Sequence, residues 1–145
     1  MRKIIQVLAA VAVISAVSPA FAQPKAETDA KDSAKVIVYY FHDSFRCYTC
    51  NNMEKYSREA VETNFKKKLA SGKIEFKAVN VEEQGNEHFI KDYNLYTKSL
   101  ILSLVIDGKE VKSKNLDKIW QLARNKKKFI NYVTGEIKTF IKDAH

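Results

Sequence analysis

The stretch "VIVYYFHDSFRCYTCNNME", Val36 to Glu54, sets the only two cysteines of the chain, Cys47 and Cys50, three positions apart directly behind an apolar run. That run, "KVIVYYF", is short, continuous and rich in Val, Ile and Tyr, the composition of a strand buried on both faces. Behind the cysteines, Cys50, Met53, Ser57, Ala60, Val61, Phe65 and Leu69 recur at three and four positions. This spacing predicts one helical stripe, stopped at Ser71-Gly72.

Working outward, "KIEFKAVNV" reads as a second strand, and the segment from Glu82 to about Tyr93 as a shorter helix with Phe89, Ile90 and Tyr93 turned inward. "SLILSLVI" and "KEVKS" flank Asp107-Gly108, the strongest short hairpin signal in the chain. Helical patterns follow over residues 115–122 and from Lys128 to the end, where Phe129, Val133, Ile137, Phe140 and Ile141 share a face. Gly135 weakens that last helix by about 1 kcal/mol relative to Ala. The order β-α-β-α-β-β-α predicts an α/β domain: a central mixed sheet flanked by helices, with a terminal hairpin forming an antiparallel edge. Tyr39, Tyr40 and Trp120 read as aromatics of the core or its edge.

At 145 residues and 46% hydrophobic composition, the chain suits one core rather than two. Its opening, "MRKIIQVLAAVAVISAVSPAFAQ", reads as a secretory signal: Arg2 and Lys3, an apolar run, then Ala20-Phe21-Ala22 as a small-x-small cleavage site. The apolar run is about 14 residues against roughly 20 for a bilayer span, so cleavage after Ala22 is expected rather than a retained anchor. The organisation read from the sequence is therefore a signal peptide over 1–22, a polar flexible tether over 23–34 and a folded domain over 35–145. Such a protein is periplasmic or secreted, with no membrane span once the signal is removed, and its thiols meet an oxidising compartment.

In open α/β sheets, ligand and reaction sites gather at the carboxyl ends of the strands, where "HDSFR" leads into the cysteines. With Ser44 as N-cap, Cys47 falls in the first turn, among unpaired amides at the positive end of the helix dipole. Arg46 adds a further charge, which favours the Cys47 thiolate as nucleophile; Cys50, one turn deeper on the apolar face, becomes the resolving thiol. A structural staple is the weaker reading, since closing a four-residue loop stabilises by roughly 2 kcal/mol against about 4.7 kcal/mol for a hundred-residue loop. A two-thiolate site for a soft ion such as Cu(I), assisted by Met53 or His42, is the metal alternative. It would make the chain a metal-binding or accessory module without general redox turnover. No nucleotide-binding glycine pattern occurs, so electrons would come from a protein thiol or disulfide partner, and the redox-active disulfide would serve in place of a cofactor. The formal charge of +8 includes Lys66-Lys67-Lys68 and Lys126-Lys127-Lys128, which read first as solvated helix faces and ends. Nucleic-acid binding has no recognition motif to support it.

Taken together, "VIVYYFHDSFRCYTC", "KAVNVEEQGNEHFIKDYNL" and "SLILSLVIDGKEV" resemble the thioredoxin-like superfamily over nearly the whole domain. Within it, "YYFH", the "RCYTC" pair and "LYTKSL" are most similar to the small exported ArsF-type subunits of nitrophenyl nitroreductase systems, which implies electron supply to a partner reductase. The resemblance puts the attacking thiol on Cys47 and the resolving thiol on Cys50. Substrate contacts then fall on Arg46, Tyr48 and Thr49, which stand where the family has Trp and Gly-Pro, and on Ser99 and Leu100 in the loop facing the cysteines. The chain also departs from the family pattern. Its prolines are at 19 and 24 only, so the family's cis-proline opposite the cysteines has no equivalent, and the position of the family's buried Asp holds Phe41. Glu54, His42 and Asp43 are the candidates to replace that carboxylate, each also readable as a solvated loop or helix-face residue.

Expression in a bacterial host followed by N-terminal sequencing tests the leader: a mature start at Gln23 is expected, and an intact Met1 on soluble cytosolic protein would remove the basis for export.

Overall fold

The computed structural model describes residues 34–143. The expected signal peptide (1–22) and all of the tether (23–34) except Ala34 lie outside the described residues. The elements run β1 (Lys35–His42), α1 (Tyr48–Asn64), α2 (Lys66–Ala70), β2 (Ile74–Asn80), α3 (His88–Asp92), β3 (Ser99–Ile106), β4 (Lys109–Asn115), α4 (Ile119–Leu122) and α5 (Lys126–Lys142). They form the expected α/β plan: a central mixed sheet flanked by helices, in the strand order β2-β1-β3-β4. β1 pairs with β2 in parallel and with β3 in antiparallel fashion, so β3 lies inside the sheet and β4 forms the edge of the hairpin side.

β1 is buried on both faces, as its unbroken apolar run requires. Val36, Val38 and Tyr40 point into the main core, where they meet Met53 and Val61 of α1, Leu100 and Leu102 of β3, and Phe129, Val133 and Ile137 of α5. On the opposite face Tyr39 and Phe41 stack at 5.2 Å between ring centres, and Phe89 and Tyr93 cover them, at 5.0 and 5.4 Å from Phe41. The hairpin signal is realised at Asp107 and Gly108, both at positive φ (52° and 77°), the conformation of a type I′ turn whose twist matches its strands. β4 is exposed throughout and carries Lys109, Lys112 and Lys114, charges that discourage strand-to-strand association at a free edge.

Four helical expectations change. The single stripe from Cys50 to Leu69 breaks at Phe65, where the Asn64 side chain donates to the Ala60 carbonyl (2.9 Å) and competes with the backbone ladder. The helix expected from Glu82 shrinks to His88–Asp92. Asn80 is the reason: its side-chain oxygen accepts from the Glu82 amide (3.1 Å) and its carbonyl accepts from the Asn86 side chain (2.9 Å), which closes a turn in place of a helix, with Gly85 at φ 92°. Ile90 is accordingly exposed instead of facing inward. The helical pattern over 115–122 reduces to Ile119–Leu122, because Asn115 still belongs to β4. α5 starts two residues earlier than expected, capped by Asn125, whose side chain accepts from the Lys128 amide (3.0 Å). Among the described residues no helix is long and apolar enough to cross a membrane.

Gly135 lies on the exposed side of α5, and a Cβ placed there meets nothing within 4 Å. Gly135→Ala is therefore expected to stabilise the protein by about 0.5–1 kcal/mol, read as a higher urea midpoint with an unchanged slope.

Candidate functional site

The loop from Asp43 to Arg46 leaves the carboxyl end of β1 and delivers the chain to α1. Ser44 does not cap that helix. Its amide donates to the Glu82 carboxylate (2.9 Å) and its hydroxyl accepts from the Asn80 side chain (3.2 Å), so it ties the loop to the end of β2. Cys47 is the N-cap instead, with extended backbone (φ −76°, ψ 161°) and its own sulfur accepting from the Cys50 amide at 3.1 Å. The expected environment survives this shift: the Cys47 sulfur faces free amides at the positive end of a 17-residue helix, which would stabilise a thiolate.

Cys47 and Cys50 are joined as a disulfide. The two sulfurs differ in access. Cys47 is half-buried at the rim, whereas Cys50 is 1% exposed under it. Beneath the pair, the fully buried Tyr40 hydroxyl donates to the Cys50 carbonyl (2.8 Å), and burial holds that phenol's pKa well above the ordinary tyrosine value. The core reading of Tyr40 was sound, but its contact with the second cysteine was not visible in the sequence.

Arg46 is turned away from a simple charge-on-sulfur role. Its guanidinium is ion-paired with the Glu54 carboxylate and donates to His42 Nε2 at 3.1 Å. His42 Nδ1 in turn donates to the Asp43 carbonyl (2.9 Å), so the ring carries its proton on Nδ1 and accepts at Nε2. Glu54 also receives Arg58 at 3.3 Å and is largely covered, with its side chain 18% exposed. It is a half-buried anchor for two arginines rather than a fully solvated helix-face residue. Asp43 is drawn off separately by Lys98 (2.8 Å), whose hydrogen bond holds that carboxyl below the usual carboxylate range. Of the three candidates for the missing family carboxylate, His42 and Glu54 thus share one network through Arg46, and Asp43 belongs to another.

The remaining expected contacts divide. Tyr48 is exposed at 83%, and Thr49 lines an open cleft of about 510 Å³ together with Cys47, Trp120, Gln121, Ala123 and Arg124. Ser99 and Leu100 are buried: Leu100 packs in the core, and the Ser99 hydroxyl donates to the Thr97 carbonyl at 2.9 Å. The reason is strand register, since the two residues pair with Phe41 and Tyr40 of β1. The loop before them reaches the site by a different route. Trp120 Nε1 donates to the Lys98 carbonyl at 3.0 Å, and the Lys98 ammonium lies 5.6 Å from the centre of the Phe45 ring. Trp120, Gln121 and Arg124 were missed as site residues, because no local pattern marks a segment more than 70 positions away as a neighbour of Cys47. As for the metal alternative, no group of three or more His, Cys, Asp and Glu side chains is placed to hold an ion among the described residues. Its two suggested helpers are otherwise engaged: His42 Nε2 accepts from Arg46, and Met53 is sealed in the core.

No family model matches the chain, and no curated protein matches it. Among solved structures, the chain is similar to a Fasciola hepatica thioredoxin at 22% identity, over 66% of this chain and 81% of that one, with a TM-score of 0.38. It is similar to the germline-specific thioredoxin Deadhead of Drosophila melanogaster at 18% identity, over 66% and 80%, with a TM-score of 0.41. A third is thioredoxin O2 of Arabidopsis thaliana in the oxidised state, at 16% identity, over 61% and 69%, with a TM-score of 0.39.

Removing the Glu54 charge leaves Arg46 uncompensated close to the first cysteine. In the reduced Glu54→Gln protein, the midpoint pH for iodoacetamide labelling of Cys47 is expected to fall by roughly 0.5–1, because an added net positive charge favours the thiolate. Labelling with the wild-type profile would separate this network from the sulfur.

Proposed function

We propose that this chain is an exported thiol–disulfide oxidoreductase or electron carrier that works through the Cys47–Cys50 couple. One observation carries the reading: the disulfide stands at the N-terminus of α1 with one sulfur at the rim of an open cleft and the other buried beneath it. That asymmetry is what a two-step exchange needs, and a staple over four residues does not call for it. The Cys47 thiolate attacks one sulfur of a partner disulfide. A bond forms between Cys47 and the partner, the partner's S–S bond breaks, and its other sulfur leaves as a thiolate. Cys50 then gives up its proton and attacks the Cys47 sulfur, which frees the second partner thiol. The partner gains two electrons, and the couple here ends as the disulfide. The same steps in reverse oxidise a dithiol partner.

The sequence features extend the proposal. The leader supports a periplasmic or secreted protein with the signal removed after Ala22. The resemblance to ArsF-type subunits supports a partner reductase as the electron acceptor.

Reduction of insulin with dithiothreitol as electron source tests the reading. The wild-type chain should speed turbidity onset, and Cys47→Ser should return it to the rate of dithiothreitol alone. Equal activity in the two proteins would overturn the assignment. In Cys50→Ala the mixed disulfide on Cys47 is expected to accumulate, visible as a partner adduct that thiols release.

A further inference from the structure

We propose that the cleft beside Cys47 selects polypeptide partners that carry an acidic residue next to their reacting cysteine, and that Arg124 is the group that reads the carboxylate. The inference rests on the exchange reading above and names the class of partner for the same site.

The argument starts from the charges around the disulfide. Arg46 is neutralised by Glu54, and Arg58 shares that carboxylate while covering the Phe76 ring at 4.6 Å. Lys98 is held by Asp43 at 2.8 Å with its side chain only 12% exposed, and Lys126, just beyond, is held by Glu59 at 2.8 Å. Arg124 differs from all of these: it is exposed and has no hydrogen bond or ion pair among the described residues. It lines the same cleft as Cys47, and among the described residues no acidic side chain lines that cleft with it. An uncompensated guanidinium therefore stands on the wall of the cavity into which the nucleophilic sulfur opens. A guanidinium offers a planar fork of donors that a carboxylate can meet with two hydrogen bonds.

The other wall suits a peptide. Trp120 is 41% exposed, yet its indole N–H is already bonded to the Lys98 carbonyl, so the ring is held as a fixed apolar surface. Tyr48 and Phe45, at 83% and 74% exposure, flank the cysteine on the chain itself. The occupant that fits is an extended segment with its cysteine at Cys47, its backbone against Trp120 and an Asp or Glu side chain at Arg124. The formal charge of +8, which becomes +6 once Arg2 and Lys3 leave with the leader, would draw such a segment in at longer range.

The test uses the reduced full chain and three hexapeptides, Gly-Ser-X-Cys-X-Gly with X as Glu, Gln or Lys, each with its cysteine joined to pyridine-2-thiol. The Cys47 thiolate displaces pyridine-2-thione, read by its absorbance, and forms a disulfide with the peptide; Cys50 then releases the peptide thiol. The Glu peptide is expected to react about three- to tenfold faster than the Lys peptide at low salt, with the ratio falling toward one in about 1 M salt. Arg124→Glu should invert the order, and Arg124→Lys should preserve its direction. Equal rates for the three peptides with wild type, or a Glu preference that survives Arg124→Glu, would overturn the proposal while leaving thiol exchange intact. If no peptide releases the thione, the exchange reading fails and this inference fails with it.

Discussion

The buried hydrogen bond from the Tyr40 hydroxyl to the Cys50 carbonyl links the middle of the sheet to the second cysteine. A phenol sealed in the core without an acceptor would cost about 1–3 kcal/mol, so the first turn of α1 must stand where its carbonyl can meet that hydroxyl. Tyr40 itself has little freedom, because β1 is paired on both edges and packed on both faces. The height of α1 over the sheet is thereby set by one strand, and the separation of roles between the sulfurs follows from it. Cys47 emerges at the rim where the loop ends, and Cys50 is carried one turn inward against the core.

Electrostatics at this end of the domain follow a second pattern, the local pairing of nearly every charge. The residue that precedes the first cysteine is cationic, yet its charge is divided between Glu54 and His42, and the loop carboxylate Asp43 is matched by Lys98. Both pairs lie partly out of water, where a single uncompensated ion would be costly. Their arrangement steadies the loop from His42 to Arg46 without leaving a large net field on the sulfur. Arg124, a cation without an ion pair among the described residues, stands across the cleft. The N-terminal amides of α1, one of which already donates to the Cys47 sulfur, are then the nearest source of positive potential for a thiolate.

Much of the fold could be read from the chain because it depends on local pattern. The unbroken run of β1, the stripe from Cys50 to Val61 in α1, the Asp107-Gly108 turn and the Phe129 to Phe140 face of α5 are periodicities with one structural solution each. The pairing of Cys47 with Cys50 and their unequal depth also belong to this class, since three residues at the start of an amphipathic helix suffice to decide them. Where the reading went astray, a side chain had bonded to the backbone. Asn80 closed a turn over residues that have helical composition, Asn64 added a side-chain donor to the Ala60 carbonyl at the end of α1, and Asn125 advanced the start of α5.

By itself, then, the sequence determined the α/β class, the place of the dithiol at the carboxyl end of the first strand and the core faces of the long helices, because each rests on spacing within a dozen residues. Tertiary structure alone decided who surrounds the dithiol. The register of β3 against β1 buried the Ser99 and Leu100 side chains, while Glu54 came to hold Arg46. Trp120 and Arg124 were brought to Cys47 by the crossing from the hairpin edge into α5. Contacts of that kind depend on how separate elements stack, and the free energy that selects them is shared over the whole core, so no short stretch of residues records it.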